Sequence, residues 1–255
     1  MAFVIFKLIS KGLKPIYRQI RENTRAISSI FLPSTLEFEG VKINAVGSHI
    51  SPKIEQAIRS GYYEQAELQI LKSCLSQSDT VMEIGAGIGF LSSYCAKQIG
   101  SEQVFAYEAN PALEESIRHT YEINCVNPNL EICLIGAQTG LDIFYIASDF
   151  WESSFVKPIA DKEVDTITVA AKSFSQEVRR INPSLLIVDI EGGEYELFKD
   201  VNLYNIQKII IELHNSLIGD EKVQFVKTRL SDYGFKVVEK ISNCDDEILF
   251  LQRLN

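Results

Sequence analysis

Four short segments carry side chains suited to chemistry. Residues 83–89 read Glu83-Ile84-Gly85-Ala86-Gly87-Ile88-Gly89. Glycine lets the backbone turn sharply and come close to a ligand with no Cβ in the way. Three glycines at alternate positions are destabilising unless something needs that space. Glu108 ends the next apolar stretch, where an acid in nucleoside-binding α/β folds accepts hydrogen bonds from ribose hydroxyls. A helix dipole also favours an acid at that place. Residues 184–194 run through Leu185-Leu186-Ile187-Val188 into Asp189, Glu191, Gly192, Gly193 and Glu194, and residues 211–215 read Ile211-Glu212-Leu213-His214-Asn215. A carboxylate or imidazole in such a place can take a proton from an acceptor. The same groups suit a divalent cation.

These side chains converge only if the strands that carry them end together. Apolar runs at 79–84, 103–108, 130–135, 184–190 and 206–213 read as strands, the last two as central strands buried on both faces. Helical patterns at 88–99, 111–124, 173–181 and 219–232 fall between or after them. Pro111 suits a first helical turn. Weaker strands at 141–147 and 164–170 flank a long loop. Strands at 235–241 and 246–252, joined by a short connection, must run antiparallel. The expected fold is α/β: a seven-stranded, mostly parallel sheet with helices on both faces and a terminal antiparallel hairpin strand. Asp189 and Glu191 then share one side beyond a strand's carboxyl end, where ligands of open α/β sheets bind. Glu196 and Asp200 read as a solvated helix face.

Ahead of this domain, expected over 61–255, residues 1–60 read as an extension. It holds a helical segment, a hairpin at 36–46 and a helix at 52–60. Lys7, Lys11, Lys14, Arg18, Arg21 and Arg25 form one helical stripe, interrupted near Pro15. Six basic side chains against one acid in residues 1–30 leave a net −14 for the rest, within a total of −9. The stripe suggests either peripheral contact with a membrane surface or a helix packed on the domain or a partner.

The acidic balance argues against a nucleic-acid partner. Five scattered cysteines with no CxxC pair offer neither a disulfide framework nor a zinc site, and fit a cytoplasmic protein. No apolar run is long enough to cross a membrane. Oligomeric state is not readable.

Glu83–Gly89, Ala106-Tyr107-Glu108-Ala109-Asn110-Pro111, Val188–Glu194 and Ile211–His214 together resemble the FkbM family of methyltransferases. The glycine spacing departs from the dinucleotide fingerprint G-x-G-x-x-G, with Phe90 where its third glycine would stand. The acid ahead of the loop suits the ammonium group of S-adenosylmethionine better than a pyrophosphate.

The resemblance implies a class I methyltransferase fold, a Rossmann-like sheet, with S-adenosylmethionine as cofactor. Glu83, Gly85, Ala86, Gly87, Gly89, Glu108, Ala109, Ala137 and Asp189 are the expected cofactor residues. It further implies O-methylation of a hydroxyl on a sugar, glycolipid or natural product. The alternative is a weakened cofactor-binding scaffold of a biosynthetic assembly. Asp189, His214 and Glu191 are the expected catalytic residues, Asp189 or His214 as base. In a metal-dependent alternative Asp189, Glu212 and His214 hold magnesium or manganese. Trp151–Ser154 lies where such proteins carry a substrate loop. Two positions depart from the family pattern: Ile187 replaces a common lysine, and Ala170-Ala171-Lys172 stands where an acid is common.

Overall fold

In the computed structural model, residues 33–47, 50–146, 165–239 and 248–254 are described. The basic stripe at 7–25, His49 and Trp151–Ser154 lie outside them.

The described chain opens on a hairpin of β1 (Thr35–Phe38) and β2 (Val41–Asn44). Its two turn residues, Glu39 and Gly40, both have positive φ, which matches the twist of a tight hairpin. Helix α1 (Pro52–Ser60) is capped by Ser51 Oγ, which accepts from the Ile54 N–H at 3.3 Å. Helix α2 (Gln65–Cys74) follows. Then strands and helices alternate: β3 (Val81–Ile84), α3 (Phe90–Ile99), β4 (Val104–Glu108), α4 (Glu114–Ile123) and β5 (Asn129–Ile132). A 3-10 turn at Pro111–Leu113 precedes α4.

The single strand expected at 130–135 is two. β5 pairs with β4, but after Cys133 the chain leaves the main sheet as β6 (Leu134–Gly136). With β7 (Gly140–Ile146) and β8 (Asp165–Ser173), β6 builds a second sheet in the order β6-β8-β7. A run with no glycine or proline carries no mark of such a break. The remaining elements are α5 (Phe174–Ile181), β9 (Leu185–Val188), α6 (Glu194–Lys199), β10 (Lys208–Glu212), α7 (Asn215–Ile218), α8 (Asp220–Asp232), β11 (Phe235–Val237) and β12 (Ile248–Arg253).

The main sheet has seven strands in the order β11-β12-β10-β9-β3-β4-β5. β10, β9, β3, β4 and β5 are parallel, and β12 runs antiparallel to both β10 and β11. Alternate residues feed opposite layers. Val81, Leu185 and Ile187 pack with α1, α2 and α3, while Met82, Leu186 and Val188 pack with α5, α6 and α8. Ile187 is thus a core residue, which explains an apolar side chain at that departure from the family pattern. Val41, Ile43, Ile54 and Ile58 belong to the same cluster as Val81 and Phe90. Residues 33–60 therefore share the domain's core, and the division expected at residue 61 is not a break in packing.

The strand order reverses between β3 and β9, which makes their carboxyl ends the crevice of the sheet. Their register is level: Ile84 stands opposite Val188, and the Asp189 N–H donates to Ile84 O at 3.0 Å. The glycine loop and the acidic loop therefore leave the sheet side by side.

Candidate active site

A cavity of about 470 Å³ opens at this crevice. Such a volume suits a cofactor-sized ligand. Gly85, Gly87, Glu108 and Ala109 line one part, and Asp189, Glu191, Glu212 and His214 line another.

The glycine side is held by backbone hydrogen bonds. Gly85 and Ala86 N–H groups donate to Tyr107 O at 2.9 and 3.0 Å. The Gly87 N–H donates to Glu108 Oε2 at 3.0 Å, and the Asn110 N–H to Glu108 Oε1 at 2.8 Å. Burial pushes the Glu108 carboxyl up to about 7, against the pull of these donors. Glu83 is buried just behind the lining, and burial pushes it up to about 8, with a Ser92 hydrogen bond acting the other way. Its Oε2 is buried and has no hydrogen-bond partner. Gly85 is required by sterics: at φ +89, a Cβ there would lie 1.7 Å from Asp189 O.

Not every residue assigned to cofactor binding faces the cavity. Gly89 turns into α3, and a Cβ on it would meet the Tyr121 ring at 2.9 Å, so close packing against α4 demands this glycine. Ala86 is buried among Leu113, Ile117 and Tyr121. Ala137 is exposed in the turn between β6 and β7, outside the lining. The break at Cys133 moves that segment off the main sheet and brings Cys133, Leu134 and Ile135 to the cavity instead.

The acidic side is built on an imidazole. Glu194, the first residue of α6, is fully buried. Its Oε1 accepts from the Gly192 N–H at 3.0 Å and lies 2.6 Å from His214 Nδ1. The other ring nitrogen, Nε2, lies 3.3 Å from Glu191 Oε2, 3.6 Å from Asp189 Oδ1 and 3.7 Å from Glu212 Oε1. Burial alone would lower the His214 pKa. The Glu194 hydrogen bond and the surrounding carboxylates outweigh it and push it up to about 10. Burial raises Asp189, opposed by His214, and pushes Glu212 up to about 9 with Asp189 adding to the rise. Asp189, Glu212 and His214 also offer ligand atoms within 4.8 Å of one another. Glu196 and Asp200 are exposed, and His119 lies 3.8 Å from Glu122 on the surface of α4, away from the site.

Sequence reasoning missed the upstream wall. Lys53, Tyr62, Tyr63, Glu64 and Glu67 line the cavity, with Phe144 from β7 and Ile248 from β12. The paired tyrosines followed by an acid were the available signal, but nothing local says that α1 and α2 fold back onto the strand ends.

This strand order and crevice define the class I methyltransferase fold. Residues 83–237 match the methyltransferase FkbM domain. That is more than half of the chain, and the protein belongs to the FkbM methyltransferase family. The chain is 33% identical over 79 residues to protein arginine N-methyltransferase 6 of Xenopus laevis, covering 31% of this chain and 22% of that protein. It spans less than a quarter of that relative's length. Among solved structures, it is similar to a ribosomal protein L11 methylase from Lactobacillus delbrueckii subsp. bulgaricus, at 13% identity and a TM-score of 0.40, covering 74% of this chain and 77% of that one. A Pyrococcus abyssi tRNA (uracil-54, C5)-methyltransferase with bound S-adenosyl-L-homocysteine shares 15% identity at a TM-score of 0.43, covering 86% of this chain and 43% of that one. Among the described residues, no helix is long and apolar enough to cross a membrane.

Proposed function

We propose that this enzyme methylates a hydroxyl of a sugar, glycolipid or natural product, with Asp189 taking the hydroxyl proton. The observation that carries the reading is the place of Asp189. It follows β9 at the crevice, its backbone touches the glycine loop, and its Oδ1 is buried without a hydrogen bond. Burial raises its pKa, which makes the ionised carboxylate a stronger base.

The donor set suits the cofactor. Glu83 Oε2 lacks the donor that an ammonium group offers. Glu108 is fixed by two N–H groups at the end of β4, with lone pairs left for ribose hydroxyls. Ala109, Leu113 and Ile135 supply an apolar wall for the base. When bound, S-adenosylmethionine supplies a methyl group on a positively charged sulfur.

The protein's own contribution is alignment, which can supply on the order of 7–11 kcal/mol, and proton removal. His214 holds its proton at neutral pH and is a poor base there. Its charge instead opposes the burial that raises Asp189. Isotope-labelled methyl transfer to a panel of hydroxyl-rich acceptors tests the reading. Product carrying the label on nitrogen or carbon, or turnover that ignores Asp189→Asn, would sink it.

A second reading puts magnesium or manganese on Asp189, Glu212 and His214. The spacing of their ligand atoms favours it, as does the Glu194 contact that orients the ring. Turnover that survives chelator and ignores added magnesium would remove it.

A further inference from the structure

We propose that Glu64 is a second carboxylate for the ammonium group of the cofactor, acting as a pair with Glu83. The inference rests on the cofactor reading above. It adds a residue from upstream of the FkbM match, which starts at Glu83.

Glu64 lines the cavity; a Tyr63 hydrogen bond acts on its carboxyl against the effect of burial, and its Oε2 is buried and still open to a donor. Glu83 Oε2 is in the same condition. Glu64 has an obvious structural task that it does not perform: it sits at the N-cap of α2, yet its side chain makes no capping hydrogen bond. The neighbouring charges that act most strongly on it are Glu83, Glu67 and Asp189, all acids. The basic side chains in the lining are Lys53, which is not among the charges that act most on Glu64, and His214, which is committed to Glu194.

Two carboxylates with oxygens held out of water that feel each other do not readily both ionise unless a cation joins them. An ammonium group has three donors and no acceptor, and so can satisfy both oxygens at once. The glycine loop that begins beside Glu83 places a nucleoside ligand here, and the methionine end of S-adenosylmethionine carries such a group.

The test separates the two ends of the ligand. Titration calorimetry of the full chain compares S-adenosylhomocysteine, which keeps the amino-acid end, with 5′-methylthioadenosine, which lacks it. Glu64→Gln should weaken S-adenosylhomocysteine about tenfold to a hundredfold, the scale of a lost hydrogen bond to a charged group. Binding of 5′-methylthioadenosine should stay within about twofold, since it makes no use of the pair. Ligand-free Glu64→Gln should also melt at or above the wild-type temperature, because a buried carboxylate without a partner is a cost. Unchanged S-adenosylhomocysteine affinity, or equal loss for both ligands, overturns the proposal. A lowered melting temperature or a variant that does not fold assigns Glu64 to the scaffold and overturns it as well. If the wild-type chain binds 5′-methylthioadenosine but not S-adenosylhomocysteine, the ammonium pair falls alone. If it binds neither, the cofactor reading falls first and takes the pair with it.

Discussion

The two halves of the crevice are held by different forces. On the glycine side the shape comes from backbone: Gly85 and Ala86 on Tyr107 O, and Gly87 on a Glu108 that is itself tied to Asn110. On the acidic side it comes from charge: one imidazole with Glu194 at 2.6 Å and three more carboxylate oxygens within 3.7 Å. Backbone hydrogen bonds do not titrate in the working range. Clustered carboxylates around an imidazole do, and each member sets the proton affinity of the others. The loop backbone on the glycine side is therefore fixed, with Glu108 and Glu83 as the titratable groups beside it, and the acidic side is an adjustable charge set.

The largest effect should come from a place where the halves touch. Gly85→Ala puts a Cβ against Asp189 O in a left-handed conformation, so backbone must move. A loss of ~3 kcal/mol or more is expected, read as a lowered melting temperature with cofactor affinity and turnover failing together. A well-folded, active variant would mean that the loops are not locked to each other.

Next is Asp189→Asn, which should cut kcat on the order of 10²–10⁴-fold. Affinity for S-adenosylhomocysteine should stay within about threefold, since the glycine side is untouched. Parallel loss of both would move Asp189 from chemistry to binding and erase the division of labour.

Glu194→Gln removes the closest anion of His214. The imidazolium pKa should fall from about 10 towards its ordinary value, visible as a shifted ring-proton titration. Turnover should fall about tenfold, the weight of one charge-assisted hydrogen bond. An unmoved titration would show that Glu194 does not set the charge of the ring.

The smallest effect is a pH dependence of the ligand-free protein. Folding raises Glu83 from its ordinary 4.5 to about 8, so the folded state binds the proton more tightly. Its stabilising contribution is fully present below about pH 4.5 and is lost as pH rises through 8. A fall of several degrees in melting temperature between pH 5 and 8 is expected. S-adenosylhomocysteine, whose ammonium favours the ionised carboxylate, should bind more tightly and release a proton over the same window. Flat melting and flat affinity would place Glu83 outside the ammonium site.

Much of this architecture is local and so was legible in sequence. The buried-on-both-faces runs at 185–188 and 208–212, the glycine loop and the terminal antiparallel pair follow from periodicity and spacing. The side chains of Asp189, Glu191, Glu212 and His214 meet because two neighbouring parallel strands end level; patterning puts each group at a strand end but does not say which strands are neighbours. Three things depended on contacts between distant segments. Cys133 breaks one apolar run into strands of two sheets. Gly89 serves α4 rather than the ligand, because its neighbour is Tyr121, 32 positions along the chain. Glu64 and Glu67 reach the cavity because α2 packs on the sheet that begins only afterwards. The sequence by itself determined which strands form and which chemical groups sit at their ends, since period and turn residues act over a few positions. Only the tertiary structure decided which acids share a cavity and how strongly they hold protons, because burial and proximity arise from packing across the whole chain.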